Sequence, residues 1–408
     1  MSELYNLIII GGGASGLAAA VTAVSFGVEK IAVLERLPRT GKKILATGNG
    51  RCNLSHQNIS ASDYQGSYDV TGILQNFGSA EAFFENLGLY CRTDEQGRIY
   101  PYSMSANAVL DALRLQCSGV AEFCNEQAVK LFCKNRIWHI LTESGTEYLS
   151  RFVIFSAGGT VQPKFGTDGT AFRLLENLNI PVIQGRPILC PLLSDKKLLQ
   201  SLKGLRVKGS VSLYYKNKLL KSETGEIQFT ERTISGICIF NLSVLVKHQF
   251  SDYEISVNLF PELTHSELLL RLRKCRGERL GLPYEDMLSG LMQKPLARII
   301  LNKSGIRTNM SCVRASQSQF SRLAENCQNF RFPVLGTVKE QAQASAGGVA
   351  GDALDEHLQV KSHPGLYITG EAVDVHAPCG GYQLHWAWAS GYTAGKAVAE
   401  QISAEKNL

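Results

Sequence analysis

A glycine-rich turn near the start of the sequence constrains the fold more than any other feature. Gly11, Gly13 and Gly16 form a G-x-G-x-x-G pattern after the apolar residues 7–10. In such a turn the first glycine bends the chain, the second lets the backbone approach a pyrophosphate, and the third lets the helix touch the strand. The pattern therefore predicts the first strand and helix of an α/β dinucleotide-binding domain.

The residues around this turn predict three elements. The apolar run 7–10 reads as a buried strand, the small residues of 15–26 as a helix that packs closely on a sheet, and 31–34 as a second strand. Ala14 and Ser15 then lie at the helix N-terminus, whose backbone amides bind phosphates. We therefore interpret both as cofactor contacts.

An acidic residue at the end of the second predicted strand sharpens this interpretation. Glu35 follows Gly11 by 24 residues, and a carboxylate at that place accepts hydrogen bonds from the ribose hydroxyls of an adenosine. Glu35 and the adjacent Arg36 are therefore candidate cofactor residues. NAD and FAD share this half-site, so the choice between them depends on other segments.

Two later segments favour FAD. The apolar run 366–369 ends in Gly370 and Glu371, and an acid at such a strand end can bind the ribityl or pyrophosphate region of a long flavin cofactor. The stretch RFVIFSAGGT is a further apolar strand that ends in small residues, with Ala157 and Gly158 suited to lie close beside a cofactor. An NAD domain needs no such return of the chain.

Length and composition set the class of protein. The chain has 408 residues, which is longer than a chain that folds around a single hydrophobic core usually is. Its composition, with 44% hydrophobic and 19% charged residues, is that of a globular protein. Eleven cysteines form no C-x-x-C pair, which predicts reduced thiols in a cytoplasm and neither a disulfide framework nor a metal site. The apolar N-terminal run is interrupted by glycines and lacks a basic flank, so we predict no signal peptide and no membrane span.

One basic stretch is a candidate for nucleic-acid binding. Residues 271–307 contain nine Lys or Arg against three acids, but Tyr284 is their only aromatic residue. Base stacking needs aromatic side chains, and the overall net charge of +6 is small for this length. We therefore interpret the stretch as a solvated helical face.

The sequence resembles the bacterial BaiN-type (YhiN-like) NAD(P)/FAD-dependent oxidoreductases, a family that includes aminoacetone-oxidase-like and 3-dehydro-bile-acid-reductase-like flavoproteins. The resemblance spans essentially the whole chain. It rests on motifs in the family's order, of which the first and last are specific: GKKILATGNGRCNLSH, GTDGTAF, GEIQFTERTISG, SAGGV and GEAVDVHAPCGGYQLHWAWASG.

The resemblance implies an α/β fold with a discontinuous Rossmann-like FAD-binding domain. That domain comprises residues 1–190 and 335–408. A β-barrel-like unit is expected at 191–264, which alternating apolar residues also suggest, and a small helical segment at 265–334 returns to the FAD domain.

The resemblance also implies further cofactor contacts. The loop that includes Lys43 folds over the FAD, with Arg51 near the pyrophosphate and Asn53 at a flavin edge, and its neighbours Gly50 and Cys52 complete the set. Cys52 is expected to be a small buried residue and not a redox thiol. Val129 lies on a strand where such folds bind adenine through backbone groups.

The candidates for catalysis follow Glu371. His376, Cys379 and Tyr382 are the residues we expect to perform acid or base chemistry, and His385 is a weaker candidate. The segment ends in a helix whose N-terminus includes residues that are expected to contact the flavin and stabilise negative charge there: Gly380, Gly381, Tyr382 and Gln383.

The predicted function is FAD-dependent hydride transfer between a non-covalently bound flavin and a small organic substrate. One form is NAD(P)H-driven reduction of an activated C=C bond of the steroid or bile-acid enone type. The alternatives are oxidation of a small amine such as aminoacetone, and a flavin-dependent RNA-modifying or RNA-binding protein. Because the sequence has no second G-x-G-x-x-G pattern, NAD(P)H is expected to visit a site over the flavin.

Overall fold

The computed structural model describes residues 3–247, 249–279, 281–309, 311 and 315–406. The chain forms two compact units: unit 1 comprises Met1–Pro187 and Ala342–Leu408, and unit 2 comprises Ile188–Gln341. The sequence predicts a boundary at residue 264, between a β-rich unit and a helical segment. The strands and helices on both sides of this residue lie together in unit 2.

The described strands, in chain order, are β1 Leu4–Ile10, β2 Ile31–Glu35, β3 Ser55–His56, β4 Gln65–Gly66, β5 Cys91–Thr93, β6 Arg98–Pro101, β7 Ala121–Cys124, β8 Ala128–Lys134, β9 Ile137–Thr142, β10 Glu147–Phe155, β11 Val182–Ile188, β12 Leu192–Leu193, β13 Arg206–Tyr215, β14 Lys218–Phe229, β15 Thr233–Ser235, β16 Tyr253–Asn258, β17 Phe330–Pro333, β18 Gly336–Thr337, β19 Ala344–Val349, β20 Leu366–Ile368 and β21 Val375–His376.

The described α-helices are α1 Ala14–Ser25, α2 Thr71–Phe77, α3 Ala80–Glu85, α4 Ala106–Gln116, α5 Phe172–Glu176, α6 Lys196–Gln200, α7 Ile237–Ser243, α8 His265–Glu278, α9 Tyr284–Met287, α10 Lys294–Lys303, α11 Gln317–Gln328 and α12 Tyr382–Lys406. Short 3-10 helices occur between them, among them Ile44–Gly50 and Gly370–Ala372. The α/β class predicted from the sequence is confirmed.

Unit 1 is built on a parallel sheet. Its parallel strands pair in the order β7-β2-β1-β10-β20. Strand β9 pairs antiparallel with the first half of β10, and β8 pairs antiparallel with β9. Ile8 and Ile9 point to opposite faces of β1 and both are fully buried. A strand that is buried on both faces reads as a continuous apolar run, which explains the sequence of 7–10.

The parallel strands end at one edge of this sheet, where ligands of doubly wound folds bind. The glycine turn follows β1 there, Glu35 ends β2, Ser156 follows β10, and Gly370 follows shortly after β20. The fold thus brings together segments that are separated by more than 300 residues.

Helix α1 packs directly against the long helix α12. A side chain at Gly391 would overlap the Ser15 carbonyl, and a Cβ at Gly395 would lie 2.5 Å from the Ala19 carbonyl oxygen. The small residues of both helices therefore permit backbone contact, and this contact fixes the N-terminus of α1 behind the glycine turn.

Unit 2 contains a seven-stranded antiparallel sheet in the order β17-β16-β13-β14-β15-β12-β18, with helices α8 to α11 in the same unit. Its core includes Val211, Phe229 and Ile255, all at most 1% exposed. The barrel-like closure of this sheet stays a prediction.

Much of the basic stretch in unit 2 is already paired. Arg276 and Arg279 donate to the backbone carbonyls of Ala315 and Asp286. Three further basic side chains of this stretch form ion pairs: Lys274 with Glu278, Lys294 with Asp286, and Arg298 with Glu285. This pairing reduces the charge that a polyanion could contact. Among the described residues, no helix combines the length and apolarity needed to cross a membrane.

Candidate functional site

The glycine turn has the geometry of a phosphate-binding turn. Gly11 has a φ of +105°, and a Cβ there would lie 2.5 Å from the Ser156 carbonyl oxygen. A Cβ at Gly16 would overlap the Gly11 carbonyl, so these two glycines serve close packing. A Cβ at Gly13 would meet nothing within 4 Å, which leaves open space at the start of α1. A ligand group can therefore approach the backbone at Gly13.

Glu35 is buried at the glycine turn, with 9% of its surface exposed. Its Oε2 accepts a hydrogen bond from the Gly12 amide at 3.0 Å, and its Oε1 accepts from the Leu37 amide at 2.9 Å. Burial raises the pKa of this carboxyl, whereas the Leu37 and Gly12 amides act in the opposite direction. A carboxylate has about four acceptor positions, so lone pairs remain for ribose hydroxyls.

Arg36 binds the loop that contains Gly166 and Asp168, next to Glu35. Its Nη1 lies 3.0 Å from Asp168 Oδ1 and 3.3 Å from the Gly166 carbonyl oxygen. Asp168 also accepts from the Thr170 amide, but helix α5 begins only at Phe172, so Asp168 is not its N-cap. The Arg36 guanidinium therefore binds this loop, and the side chain is still partly exposed.

The end of β10 lies directly beside the glycine turn. Ser156 Oγ donates to the carbonyl oxygens of Gly11 at 2.8 Å and Ile10 at 3.1 Å. Ala157 is partly exposed, and Gly158 has a φ of +79°, where a Cβ would lie 2.5 Å from Thr167 Cγ2. Gly158 therefore serves a close approach of chain to chain.

Glu371 is bound on both carboxylate oxygens. Its Oε2 lies 2.7 Å from Lys43 Nζ, and its Oε1 accepts from the Ser345 amide at 2.7 Å and from the Ser345 hydroxyl at 3.0 Å. Ser345 Oγ in turn accepts from the Thr160 amide. This network ties the loop at Lys43 to β19 and to the end of β10, so Glu371 has a structural role whether or not it contacts a cofactor.

Gly370 joins the two packed helices at the sheet edge. Its amide donates to Ser390 Oγ at 2.9 Å, and its carbonyl accepts from Trp386 Nε1 at 2.9 Å, both on α12. A Cβ at Gly370, which has a φ of +62°, would lie 2.5 Å from Ser15 Oγ at the start of α1. Gly370 and Ser15 thus meet where the phosphate-binding amides are expected.

The loop after Lys43 adopts left-handed backbone at several positions. Gly50 has a φ of +82° and Cys52 a φ of +56°. Cys52 is fully buried, and burial raises the pKa of its thiol to about 12, so the thiol is unreactive as expected. Arg51 is exposed, with its Cζ 5.3 Å from the centroid of the Tyr100 ring.

Asn53 has a buried side-chain oxygen without a partner. Its Oδ1 makes no hydrogen bond to any described residue. A buried amide oxygen without a donor is costly, so such an atom marks a position that a ligand donor can satisfy. Together with the open space at Gly13, this atom shows that the residues present fit a dinucleotide.

Tyr382 is the first residue of α12 and follows two glycines that both have positive φ angles. Gly380 has a φ of +131° and Gly381 a φ of +106°. The Tyr382 ring stacks on His56 with 5.1 Å between centroids and 17° between planes, and the Tyr64 hydroxyl donates to the Tyr382 carbonyl at 2.9 Å. Burial and the nearby Asp63 raise the pKa of the Tyr382 phenol.

The other predicted residues of this segment differ in environment. His376 lies in β21 and is 6% exposed, and Cys379 is partly exposed with its Sγ 3.9 Å from Gln343 Oε1. Gln383 Nε2 donates to the Ala377 carbonyl at 3.4 Å.

His385 is buried on α12. Its Nδ1 lies 2.9 Å from Ser55 Oγ, and burial lowers the pKa of the imidazole to about 4. At neutral pH this histidine is therefore uncharged and carries no proton that it readily gives up as an imidazolium acid.

Val129 lies apart from these contacts. It is 47% exposed at an irregularity of β8, where the pairing with β9 shifts between Ala128 and Lys130. No described contact joins it to the glycine turn, so its assignment to adenine binding stays a prediction.

Sequence reasoning missed His56, Tyr64 and Ser345 as parts of the site. His56 ends the motif GKKILATGNGRCNLSH and Ser345 begins the motif SAGGV, and both motifs carried the family resemblance, which was the available signal. Tyr64 had no such signal.

The model of a family described as HI0933-like protein Rossmann domain matches residues 5–397. The 3-dehydro-bile acid delta(4,6)-reductase of Clostridium scindens is 34% identical and covers 96% of this chain and 98% of its own. The ribosomal RNA dihydrouridine synthase of Haemophilus influenzae is 23% identical and covers 98% and 100%. The open conformation of a flavocytochrome c3 fumarate reductase has a TM-score of 0.50 at 13% identity, covers 98% and 78%, and shows the fold alone.

The match to the family covers most of the chain, and a relative of 34% identity covers nearly all of it. The family resemblance inferred from the sequence motifs is confirmed. This protein is an oxidoreductase, and the chain belongs to the HI0933-like family of Rossmann-domain proteins.

Proposed function

We propose that this protein is a FAD-dependent reductase that adds hydrogen across an activated C=C bond of a small organic substrate, with NAD(P)H as electron donor. When bound, FAD supplies the hydride chemistry. The protein binds and orients the reactants, excludes water and supplies a proton.

The observation that carries the choice of cofactor is the arrangement of Glu35 around the glycine turn. The carboxylate accepts from the Gly12 amide, one residue before the open space at Gly13. The same edge of the sheet carries Gly370, which approaches α1 from the far end of the sequence. A long dinucleotide such as FAD uses both ends of this edge, whereas NAD does not require the second.

The names of the relatives support the direction of the reaction. One is a delta(4,6)-reductase of a 3-dehydro-bile acid, and the other is a dihydrouridine synthase. Both names describe reactions in which two hydrogen atoms are added across a carbon–carbon double bond. A reductase of this kind needs a hydride for one carbon and a proton for its neighbour.

Tyr382 is the residue we propose as proton donor. Its raised pKa leaves the phenol protonated at neutral pH, and the stack on His56 together with the bond from Tyr64 fixes the residue. His385 is neutral and bonded to Ser55, which makes it a poor acid. His376 and Cys379 stay alternative candidates because both belong to the same segment.

Anaerobic mixing tests this function. NADH or NADPH should bleach the flavin absorbance, and an enone such as a 3-oxo bile acid with conjugated double bonds should restore it. An amine oxidase would instead bleach with aminoacetone and recover with oxygen. Bleaching by the amine but by neither nicotinamide nucleotide would contradict the proposal.

RNA modification is a second candidate function. The observation that favours it is the Haemophilus influenzae relative, which matches over the whole of its length. The paired basic side chains of the 271–307 stretch argue against that surface as the RNA contact. Retention of RNA across a salt series, followed by a search for dihydrouridine in RNA incubated with the reduced protein, distinguishes the two functions.

A further inference from the structure

A small antiparallel sheet beside the candidate site has one buried and one outward face. Its strands pair in the order β3-β6-β5. Ser55 lies opposite Ile99, and both are 1% exposed, so this face points into the core. The register places His56 opposite Arg98 and Arg92 opposite Tyr100, so these four side chains share the other face. Tyr100 is only 4% exposed on this face, because Arg51 lies over its ring.

The outward face continues beyond the strands to two exposed tyrosines. The Tyr102 amide donates to the Tyr90 carbonyl at 2.8 Å, so the two residues extend the pairing of β5 and β6. Tyr90 is 70% exposed and Tyr102 is 66% exposed. The Cζ of Arg92 lies 5.3 Å from the centroid of the Tyr102 ring. We name this surface the arginine–tyrosine face; it comprises Arg51, His56, Tyr90, Arg92, Arg98 and Tyr102, with Tyr100 buried beneath Arg51.

Two guanidinium groups on this face have no acidic partner. Arg98 is paired with Asp94 at 2.9 Å. Neither Arg51 nor Arg92 forms an ion pair with a carboxylate in the described part of the chain; each lies over a tyrosine ring instead. An arginine stacked on an aromatic ring is orientated for planar or phosphate ligands. Arg51 donates from Nε to the Gly48 carbonyl at 3.2 Å, and its terminal nitrogens can still donate to a ligand.

The inner end of the face reaches the proposed proton donor. His56, at the β3 edge, stacks on Tyr382. Its Nε2 bonds to the Gln96 carbonyl at 3.0 Å and its Nδ1 accepts from the Asn58 amide at 3.2 Å, so the imidazole is fixed. Along β6 the face then extends four residues from Arg98 to Tyr102, or about 13 Å.

We propose that the arginine–tyrosine face binds the adenosine phosphate portion of NAD(P)H. This inference rests on the proposed function, in which a nicotinamide nucleotide reduces the flavin. Such a nucleotide has no second G-x-G-x-x-G turn in this chain. Adenine stacks on tyrosine and arginine planes, and a guanidinium binds phosphate oxygens in bidentate fashion. The two unpaired arginines favour NADPH, because its additional phosphate offers a second anionic group.

The test measures nucleotide affinity separately from activity. NADP⁺ and NAD⁺ are titrated calorimetrically into the wild-type holoprotein and into Arg92→Ala and Tyr102→Leu variants. We expect the dissociation constant for NADP⁺ to rise about ten- to a hundredfold in Arg92→Ala, since a charged hydrogen bond and a stacking plane are lost. The Tyr102→Leu variant keeps bulk but removes the ring, and we expect a smaller rise of about threefold to tenfold.

Arg136→Asn is the matched control. Arg136 is an exposed arginine of the same unit in the turn between β8 and β9, with a φ of 63° that asparagine tolerates. Its loss changes net charge equally and should leave the dissociation constant within about twofold of wild type.

Several outcomes would overturn the inference. Unchanged NADP⁺ affinity in both Arg92→Ala and Tyr102→Leu would do so, as would equal weakening by Arg136→Asn. Weaker retention of a single-stranded RNA oligonucleotide with unchanged NADP⁺ affinity would assign the face to RNA. Absence of binding of both NADP⁺ and NAD⁺ to the wild-type protein would also overturn the inference. In that case the flavin content of the protein and the photoreduction of its flavin would still test the FAD assignment of the proposed function independently.

Discussion

Lys43 and Glu371 meet at 2.7 Å although 328 residues separate them in the sequence. The pair joins the loop that precedes Asn53 to the segment that follows β20, and the remaining Glu371 oxygen is bonded to Ser345. The returning part of the chain therefore completes the site through a fixed carboxylate as well as through the backbone of Gly370.

Removal of this carboxylate charge should destabilise unit 1. In Glu371→Gln the ammonium of Lys43 loses its partner, and both side chains are at most a quarter exposed. We expect the free energy of unfolding in urea to fall by about 1 to 2 kcal/mol. Glu278→Gln breaks the exposed pair with Lys274 and should change it by less than about 0.5 kcal/mol. Equal effects would show that the buried position of Glu371 is unimportant.

Glu35 should dominate the affinity for the adenosine half of FAD. Glu35→Ala removes a charged acceptor for ribose hydroxyls, so the dissociation constant of the apoprotein for FAD should rise about ten- to a hundredfold. Glu143→Ala, at an exposed position of unit 1, serves as the control for loss of a carboxylate. An unaltered FAD affinity in Glu35→Ala would reject the assignment.

Tyr382 should act in substrate reduction and not in flavin reduction. In Tyr382→Phe the stack on His56 persists but the phenolic proton is absent, so turnover should fall about 10² to 10⁴-fold. Flavin content and flavin bleaching by the donor should stay near wild type. Single-turnover measurement of each half-reaction checks this. A variant that reoxidises at the wild-type rate would place the proton donor elsewhere, with His376 the next residue to substitute.

The pH dependence of that step follows from the same group. The phenol is active when protonated, and its raised pKa lies above the ordinary value of 10.0. Loss of rate through this group is therefore expected only above pH 10. A decline centred near pH 7 that persists in Tyr382→Phe would indicate another donor.

His385 should make stability depend on mildly acidic pH. Its pKa is lowered from 6.5 to about 4 in the folded protein, so the unfolded chain binds a proton between these values that the folded protein does not. The stability present above pH 6.5 is thus lost as pH falls towards 4, by about 3 kcal/mol for this residue. The free energy of unfolding in urea is measured at pH 7 and at pH 4.5 for the wild type and for His385→Gln. The loss between the two pH values should be larger in the wild type. Parallel losses in both proteins would contradict it.

The first elements of the fold were predictable because their signals are local. The glycine spacing and apolar runs placed β1, α1 and β2 within a few residues of their observed ends, and Glu35 was identified from its distance along the chain. The contact of Asp168 with Arg36 had no such local signal, because 132 residues separate the two in the sequence.

The contacts that complete the site could not be predicted from local patterns. His56 stacks on Tyr382, and Ser345 bonds Glu371, because the sheet brings distant strands to one edge. Sequence spacing carries no information on which of many partly buried side chains meet there. The partnerless Asn53 oxygen likewise depends on tertiary packing, although the motif around it indicated that the loop belongs to the site.

Identification of the compound released on denaturation shows whether the site holds FAD. Purified protein is denatured, the chain is removed, and the released compound is identified by absorbance and mass spectrometry. We predict one yellow compound, FAD, released completely because no covalent link is expected. Recovery of FMN, absence of any flavin after incubation with FAD, or flavin that stays attached to the unfolded chain would contradict it.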